Sequence, residues 1–417
     1  MAGIGKLKSL IRNNKIVLEN YFFMTILQVL NSMFYLLIYP FLIRTLGPNS
    51  YGLYVFSLSI VTYFILFVGF GFDMPAVKII AQYPKDQKEK SYTLSCVFTA
   101  KVYLEIISLI IFAVVVISIP YLHNNWLLLF ICFSQTITSI IFPQWYFQGV
   151  QRMRIVTYIQ LGLKIFSLPF IFLFVHSPND IAIFAFITSM ASVCGGIVAA
   201  MILIFHEKVK ISWMPISEVK KWYKDAFPFF LSTSAGIIKE QSVTLIIGAF
   251  FGMKDVAIYD LANKIIMVPR TLLMSVNGAL FPKIMANIRI GIIKKIIRYE
   301  TIIGFMVIVS IAFFGKWIVS FMGGSTMADS YPLAVVLSIT VLSWIVVGSY
   351  ISFVFVPKGH YYFVTKNQIV AFVSFFLYCG VGLFFVQNAF VLVTALSLSG
   401  LTEIAFCKYL IKKERLL

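Results

Sequence analysis

The chain places ionisable side chains where they are expensive. Lys101, Lys164, Lys239, Lys264, Arg270 and Lys316 fall within or at the margins of long apolar runs, and so do Glu105, Glu240 and Asp260. A charge at the centre of a membrane-spanning helix costs on the order of 2.5–3.5 kcal/mol on the insertion scale, so such residues need a partner or a task. Lys316 follows Phe313-Phe314-Gly315 near the end of its run, from where its ammonium can reach the headgroups. The other five bases offer charge recognition, since ammonium and guanidinium groups attract phosphates and carboxylates. The three acids can neutralise those bases or take up an ion, which makes Glu240, Asp260 and Glu105 the candidates for ion coupling.

Spacing refines this. Glu105 lies four residues after Lys101 and Asp260 four before Lys264, so each pair shares a helix face. Glu240 adjoins Lys239 and therefore points about 100° away from it. Two readings stand for the spaced pairs, intrahelical neutralisation or membership of a binding site. Five bases against three acids leave the interior net positive, and no acid lies within a turn of Lys164 in sequence. A water-filled cationic cavity between two halves of the molecule would tolerate that surplus and suit an anionic substrate. Gln28, Asn31 and Tyr35, and again Ser232, Gly236, Lys239 and Ser242, recur at helical spacing. Such stripes line cavities or make plain helix–helix contacts.

The elements that position these residues are set by composition. The 417 residues are 60% hydrophobic and 12% charged, with a mean hydropathy of +0.93, which excludes an ordinary soluble domain. Runs of about 20 apolar residues read as spanning helices. They fall near 18–43, 51–76, 92–119, 126–147, 155–175, 181–205, 227–251, 256–281, 299–321, 331–355, 366–387 and 389–411. The expected fold class is an all-α polytopic membrane protein of about a dozen transmembrane helices in two pseudo-symmetric six-helix bundles. Most Lys and Arg gather at one set of ends, from Lys6, Lys8 and Arg12 to Lys412, Lys413 and Arg415, whereas the opposite ends hold Arg44 and Lys254. Positive residues stay inside, so both termini are expected in the cytoplasm. The net charge of +18 then reports orientation rather than nucleic-acid binding.

The polar stretch His206–Asp225 divides the chain almost in half. LGPNSYGLYVFS (46–57) aligns with FGMKDVAIYDLA (251–262), pairing Gly47 with Gly252 and Tyr54 with Tyr259, and the same offset pairs Lys78 in KIIAQ with Lys283 in KIMAN. Two matches at one offset point to a duplicated six-helix unit. The expected division is an N-terminal lobe 1–205, a cytoplasmic linker 206–225 and a C-terminal lobe 226–417. An even helix number per unit gives parallel repeats, with substrate bound where they meet. Pro40, Pro75, Pro143, Pro169, Pro228, Pro269 and Pro357 fall inside or near the ends of spans, where they kink helices or are simply tolerated.

Nothing catalytic emerges. The sequence lacks a P-loop, a Gly-rich dinucleotide fingerprint and HExxH. Its five cysteines, Cys96, Cys132, Cys194, Cys379 and Cys407, lie in apolar runs without CxxC spacing and read as packing residues, with no metal or cofactor expected. Transport energy would come from ion or voltage gradients. The basic N-terminal segment leads into a long apolar helix without a small-residue cleavage site, and reads as an anchor.

RTLGPNSYG (44–52), VGFGFDMPAVKIIA (68–81), FPQWYFQGVQRMRIVTYIQ (142–160) and IIGAFFGMKDVAIYDLANKI (246–265) followed by LFPKIM (280–285) resemble the polysaccharide repeat-unit (O-antigen type) flippases, Wzx type. These belong to the multidrug/oligosaccharidyl-lipid/polysaccharide exporter superfamily. The likeness covers essentially the whole chain in order, with WYFQG (145–149) its most specific element. It implies two six-helix lobes around a cationic cavity, and an undecaprenyl-pyrophosphate-linked oligosaccharide moved across a bacterial inner membrane. It implies no enzyme activity, with a polysaccharide polymerase and a chain-length regulator as candidate partners. What carries over to this chain is the pattern of lumen-facing bases, here Lys101, Lys164, Lys239, Lys264 and Arg270. Four of the five are Lys, a point charge without the bidentate fork of Arg, which suits loose binding and release. The rivals are a multidrug exporter of the same superfamily and a membrane polysaccharide polymerase or ligase. Five bases would repel cationic drugs, and the short outer loops leave no room for a ligase's catalytic loop.

Overall fold

A computed structural model describes residues 15–286 and 290–417. Lys6, Lys8, Arg12 and Arg289, and the side chains of Lys15 and Lys283, lie outside the described residues. The described residues form helices joined by short turns, with no strand among them. In chain order the helices are α1 (Lys15–Gly69), α2 (Asp73–Gln82), α3 (Gln87–Ser118), α4 (Pro120–Asn124), α5 (Trp126–Phe133), α6 (Gln135–Ile141), α7 (Gln144–Gly149) and α8 (Met153–Phe174). They continue with α9 (Ile181–Met201), α10 (Ile216–Phe250), α11 (Met253–Ala286), α12 (Ile290–Gly323), α13 (Ser330–Tyr350), α14 (Tyr361–Phe385) and α15 (Ala389–Lys413). α9 and α13 each end in a π-helical turn, Ile202–His206 and Ile351–Phe355.

Nine helical segments among the described residues are long and apolar enough to cross a membrane. α10 and α11, of 35 and 34 residues, are long enough as well but carry Lys239, Glu240, Asp260, Lys264 and Arg270. The protein is therefore a multi-pass membrane protein built from helices, the one backbone form besides a closed barrel that satisfies its own polar groups in lipid.

α1 is broken at Gly47, whose φ of 72° and ψ of 163° lie outside helical space. The break turns the chain back on itself. Tyr39 and Tyr51 touch edge-to-face with ring centroids 5.1 Å apart, whereas a straight helix would hold them about 18 Å apart. Gly252, the residue aligned with Gly47 in the sequence repeat, also has positive φ, at 111°, and joins α10 to α11. Both halves of the chain thus use a left-handed glycine at the same point of the repeat, and the aligned Tyr54 and Tyr259 are both buried.

The chain divides into two compact units. One holds the described residues up to Leu30, Ile60–His176 and Asp180–Thr233, and the other holds Asn31–Ser59, Ser177–Asn179 and Ser234–Leu417. In the first, Val68, Phe72, Ile80, Val97, Trp145, Tyr146, Phe147 and Trp222 belong to one buried cluster. The WYFQG segment is therefore a core element. Its Tyr146 hydroxyl donates to Glu207, 3.3 Å away, and Arg152 just beyond it forms an ion pair with the same carboxylate. In the second unit, Ile293, Val346, Tyr350, Phe353, Phe355 and Cys407 form the corresponding cluster, where α12, α13 and α15 meet.

Candidate functional site

The second unit brings three of the five candidate bases onto α10 and α11, and each meets an acid. Lys264 reaches both carboxylate oxygens of Asp260, at 2.7 and 2.8 Å, the i,i+4 pair that the sequence spacing predicts. Two tyrosines from α1 close around it. The Tyr51 hydroxyl donates to Asp260 Oδ2 at 2.9 Å, and the Tyr39 hydroxyl donates to the Ala257 carbonyl at 3.2 Å. Lys264 Nζ also lies 5.1 Å from the centre of the Tyr35 ring, within cation–π range. Tyr35 is 46% exposed, so this cluster presents an open aromatic face beside a buried ion pair.

Arg270, two turns further along α11, donates to Glu240 on α10 at 3.1 Å. Its guanidinium lies 3.3 Å from the centre of the Trp344 ring on α13, a stacking that a lysine cannot reproduce. Lys239, beside Glu240, points elsewhere as its position requires and pairs with Glu403 of α15 at 2.7 Å. The Asn367 carboxamide of α14 donates to the other oxygen of Glu403 at 3.4 Å. Lys239, Asp260 and Arg270 are all at least nine-tenths buried.

In the first unit Lys101 is 3% exposed. Its ammonium lies 3.1 Å from Asp73 Oδ1 and 3.1 Å from the Ser139 carbonyl. The expected Lys101–Glu105 pairing is not formed. Glu105 instead accepts a 2.5 Å hydrogen bond from Thr136. The reason is competition: Asp73 and a carbonyl together offer Lys101 more than one carboxylate a turn away, and the hydroxyl of α6 serves Glu105. Lys164 is half-buried on α8, and Lys316 is exposed near the end of α12.

The expectation of a net positive interior is corrected by two acids that the sequence argument left out. Glu403 lies within the last apolar run and Asp73 at the margin of the second, so each carried the same signal as the acids that were counted. With them, Lys101, Lys239, Lys264 and Arg270 each meet a carboxylate. Burial without pairing would cost several kcal/mol per charge, which is why the pairs form. The arrangement is a set of closed ion pairs, one in the first unit and three in the second. Trp344, Tyr51 and Asn367 were invisible as participants, because their contacts span long separations in sequence.

This architecture is that of the drug exporters and lipid flippases. An inward-facing multidrug resistance MATE family transporter of the MOP superfamily superposes with a TM-score of 0.67 over 93% of this chain and 98% of its own, at 13% identity. The lipid II flippase MurJ in an inward closed conformation superposes with a TM-score of 0.63 over 94% of this chain and 86% of its own, at 14% identity.

Within that class, the family described as polysaccharide biosynthesis protein matches residues 17–288, and the chain belongs to it. Two relatives are provisionally named O-antigen transporters. The one from Escherichia coli strain K12 is 29% identical over 286 residues, covering 68% of this chain and 69% of its own length. The one from Shigella dysenteriae is 23% identical over 256 residues, 61% of this chain and 64% of its own length.

Proposed function

We propose that this protein is a flippase that carries an undecaprenyl-pyrophosphate-linked oligosaccharide from the cytoplasmic to the periplasmic leaflet of a bacterial inner membrane. The observation that carries the reading is the set of carboxylate-closed bases on α10 and α11, the buried Lys239 and Arg270 and the partly buried Lys264. A pyrophosphate is a better partner for these groups than a single carboxylate, because it brings about two negative charges and several acceptor oxygens. Substrate entry then exchanges one anion for another, and release restores the internal pair. The displaced carboxylate must take up a proton or turn to water while the base is held by the substrate, and its return on release keeps binding loose enough to reverse. Tyr35, exposed beside Lys264, supplies a ring face of the kind that accommodates sugars, while the buried Tyr39 and Tyr51 hold the pair in place. Lys101 and Lys164 extend the same chemistry in the other unit. The halves 1–205 and 226–417, linked by 206–225, are the parts that alternate access.

The family and its O-antigen relatives support a polysaccharide substrate. Closed ion pairs also remove the electrostatic objection to a cationic drug, and the multidrug relative in the same fold keeps that rival in view. Reconstitution separates the two. In proteoliposomes holding undecaprenyl-pyrophosphate oligosaccharide, the wild-type protein should expose the sugar to an external lectin. Lys264→Gln and Arg270→Gln should slow that exposure about tenfold or more, while Lys316→Gln leaves it unchanged. Export of a cationic dye without lectin exposure would replace the flippase reading with the exporter.

Two energy sources fit. Each charge crossing gains about 2.3 kcal/mol per 100 mV, so an interior-negative potential drives a dianion outward unless the protein's bases travel with it. If they do, a carboxylate must couple an ion instead, and Asp260, Glu240 and Glu105 are the candidates.

A further inference from the structure

A further carboxylate stands apart from every pair described above. Glu300 lies on α12 where this helix packs against α13, and α13 in turn packs against α11. It is 8% exposed. Ser349 of α13 donates its hydroxyl to Glu300 Oε2, and Asn277 of α11 donates its Nδ2 to the Ser349 hydroxyl at 3.5 Å. Ser349 is fully buried and Asn277 is 7% exposed.

Among the described residues no cation faces this carboxylate. Arg298 and Tyr299, its neighbours on α12, are exposed, and α13 contributes Ser349 and the buried, apolar-packed Tyr350. Two oxygens remain unsatisfied, Glu300 Oε1 and Asn277 Oδ1, both buried and both without a hydrogen-bond donor among the described residues. Two orphan acceptors in one small polar cluster is the pattern a missing donor leaves, because a buried polar atom without a partner is costly.

We propose that Glu300 binds a proton on Oε1, and that this proton is the one exchanged during the transport cycle. That proton turns Oε1 from an orphan acceptor into a donor and removes a bare charge from beside the apolar cluster of α12, α13 and α15. A sodium ion fits the donor set less well. Hard cations gather about six or more oxygens, and the cluster offers four, of which the Ser349 hydroxyl is already engaged by two hydrogen bonds. The helix widens into its π-helical turn two residues beyond Ser349, and such bulges accompany functional sites and give local freedom to shift. Loss of the proton would leave a carboxylate that must move towards water, and α13 is the element built to yield. This assignment deepens the proposed function by naming the site of energy coupling, and it rests on that reading for its role in transport.

Proton binding can be tested without transport. Thermal unfolding of the purified full chain in detergent is followed from pH 5 to 9 at fixed ionic strength, in potassium, sodium or choline salts. If the native state holds a proton that the unfolded chain has lost, stability falls as pH rises, since the native state binds more protons. Wild type should therefore lose stability relative to Glu300→Gln as pH rises through this range, and Glu300→Gln should lack that component. Ser349→Ala, which removes the donor that favours the charged form, should move the fall about one unit higher. Superimposable profiles for wild type and a monodisperse Glu300→Gln would overturn the proposal. So would restabilisation at high pH by sodium alone, which would assign the site to that ion. In proteoliposomes, Glu300→Gln should lose the response to an imposed pH gradient while keeping downhill lectin exposure. Loss of lectin exposure in the wild type would instead count against the flippase reading and leave the proton site standing on the unfolding data.

Discussion

At the scale of single residues, the ion pairs behave unequally under substitution. Removing one partner of a buried pair strands the other and costs about 3–5 kcal/mol, whereas replacing both can be neutral. Lys239→Ala and Glu403→Gln should each lower the thermal stability of the detergent-solubilised protein, and Lys239→Met/Glu403→Gln should recover most of the loss. If the pair is also a substrate contact, the double variant stays defective in lectin exposure despite its recovered stability. Recovery of both would confine the pair to structure. Arg270→Lys should keep the charge towards Glu240 yet lose the stacking on Trp344, and so fall between wild type and Arg270→Gln in both measurements. The local rules of the helix made Asp260–Lys264 legible in sequence, because four residues separate them. Those rules failed at Lys101 and Lys239. Asp73 and Glu403 lie 28 and 164 residues from them, and a contact of that separation depends on how helices pack.

At the scale of elements, the apolar runs were readable because hydrocarbon demands length and hydrophobicity, and neither needs knowledge of neighbours. The sequence repeat also pointed to the right places, since Gly47 and Gly252 both adopt positive φ. What it did not show is why Gly52 must be small. A Cβ there would drive into the carbonyl of Met253 at the start of α11, which is backbone and cannot swing aside. Gly52→Ala should therefore reduce membrane abundance and thermal stability far more than Gly69→Ala, where a Cβ meets nothing within 4 Å. Gly47→Ala should cost of order 1–3 kcal/mol from backbone strain alone, because its φ and ψ fall in a region essentially reserved for glycine. Equal stability of Gly52→Ala and Gly69→Ala would show that α1 and α11 can separate without penalty.

At the scale of the whole molecule, orientation and energy remain to be measured together. A reporter active only in the periplasm should work when fused after Asn49, Asn124, Asn179 or Lys254, and fail after Lys88, Lys220 or Lys294. Activity after Lys220 would overturn the orientation and the division at 206–225. With orientation known, an imposed potential at equal pH and a pH gradient at zero potential separate the two energy sources. Asp260→Asn and Glu240→Gln should weaken the response to pH if those acids couple, and leave it intact if Glu300 does.

The pairing pattern has a further consequence for how the chain is made. Helices leave the ribosome in order, and a helix bearing charge enters lipid reluctantly until its charge is neutralised. α10 and α11 can enter as a hairpin, since Glu240 meets Arg270 across the turn at Gly252 and Asp260 meets Lys264 within one helix. Lys239 has no such early partner, because Glu403 belongs to α15, which emerges after α11, α12, α13 and α14. During synthesis of α12, α13 and α14, α10 therefore holds an ammonium whose counter-charge does not yet exist. That ammonium stays unpaired until α15 arrives, and quality-control proteases that recognise exposed intramembrane charge can read it as a mark.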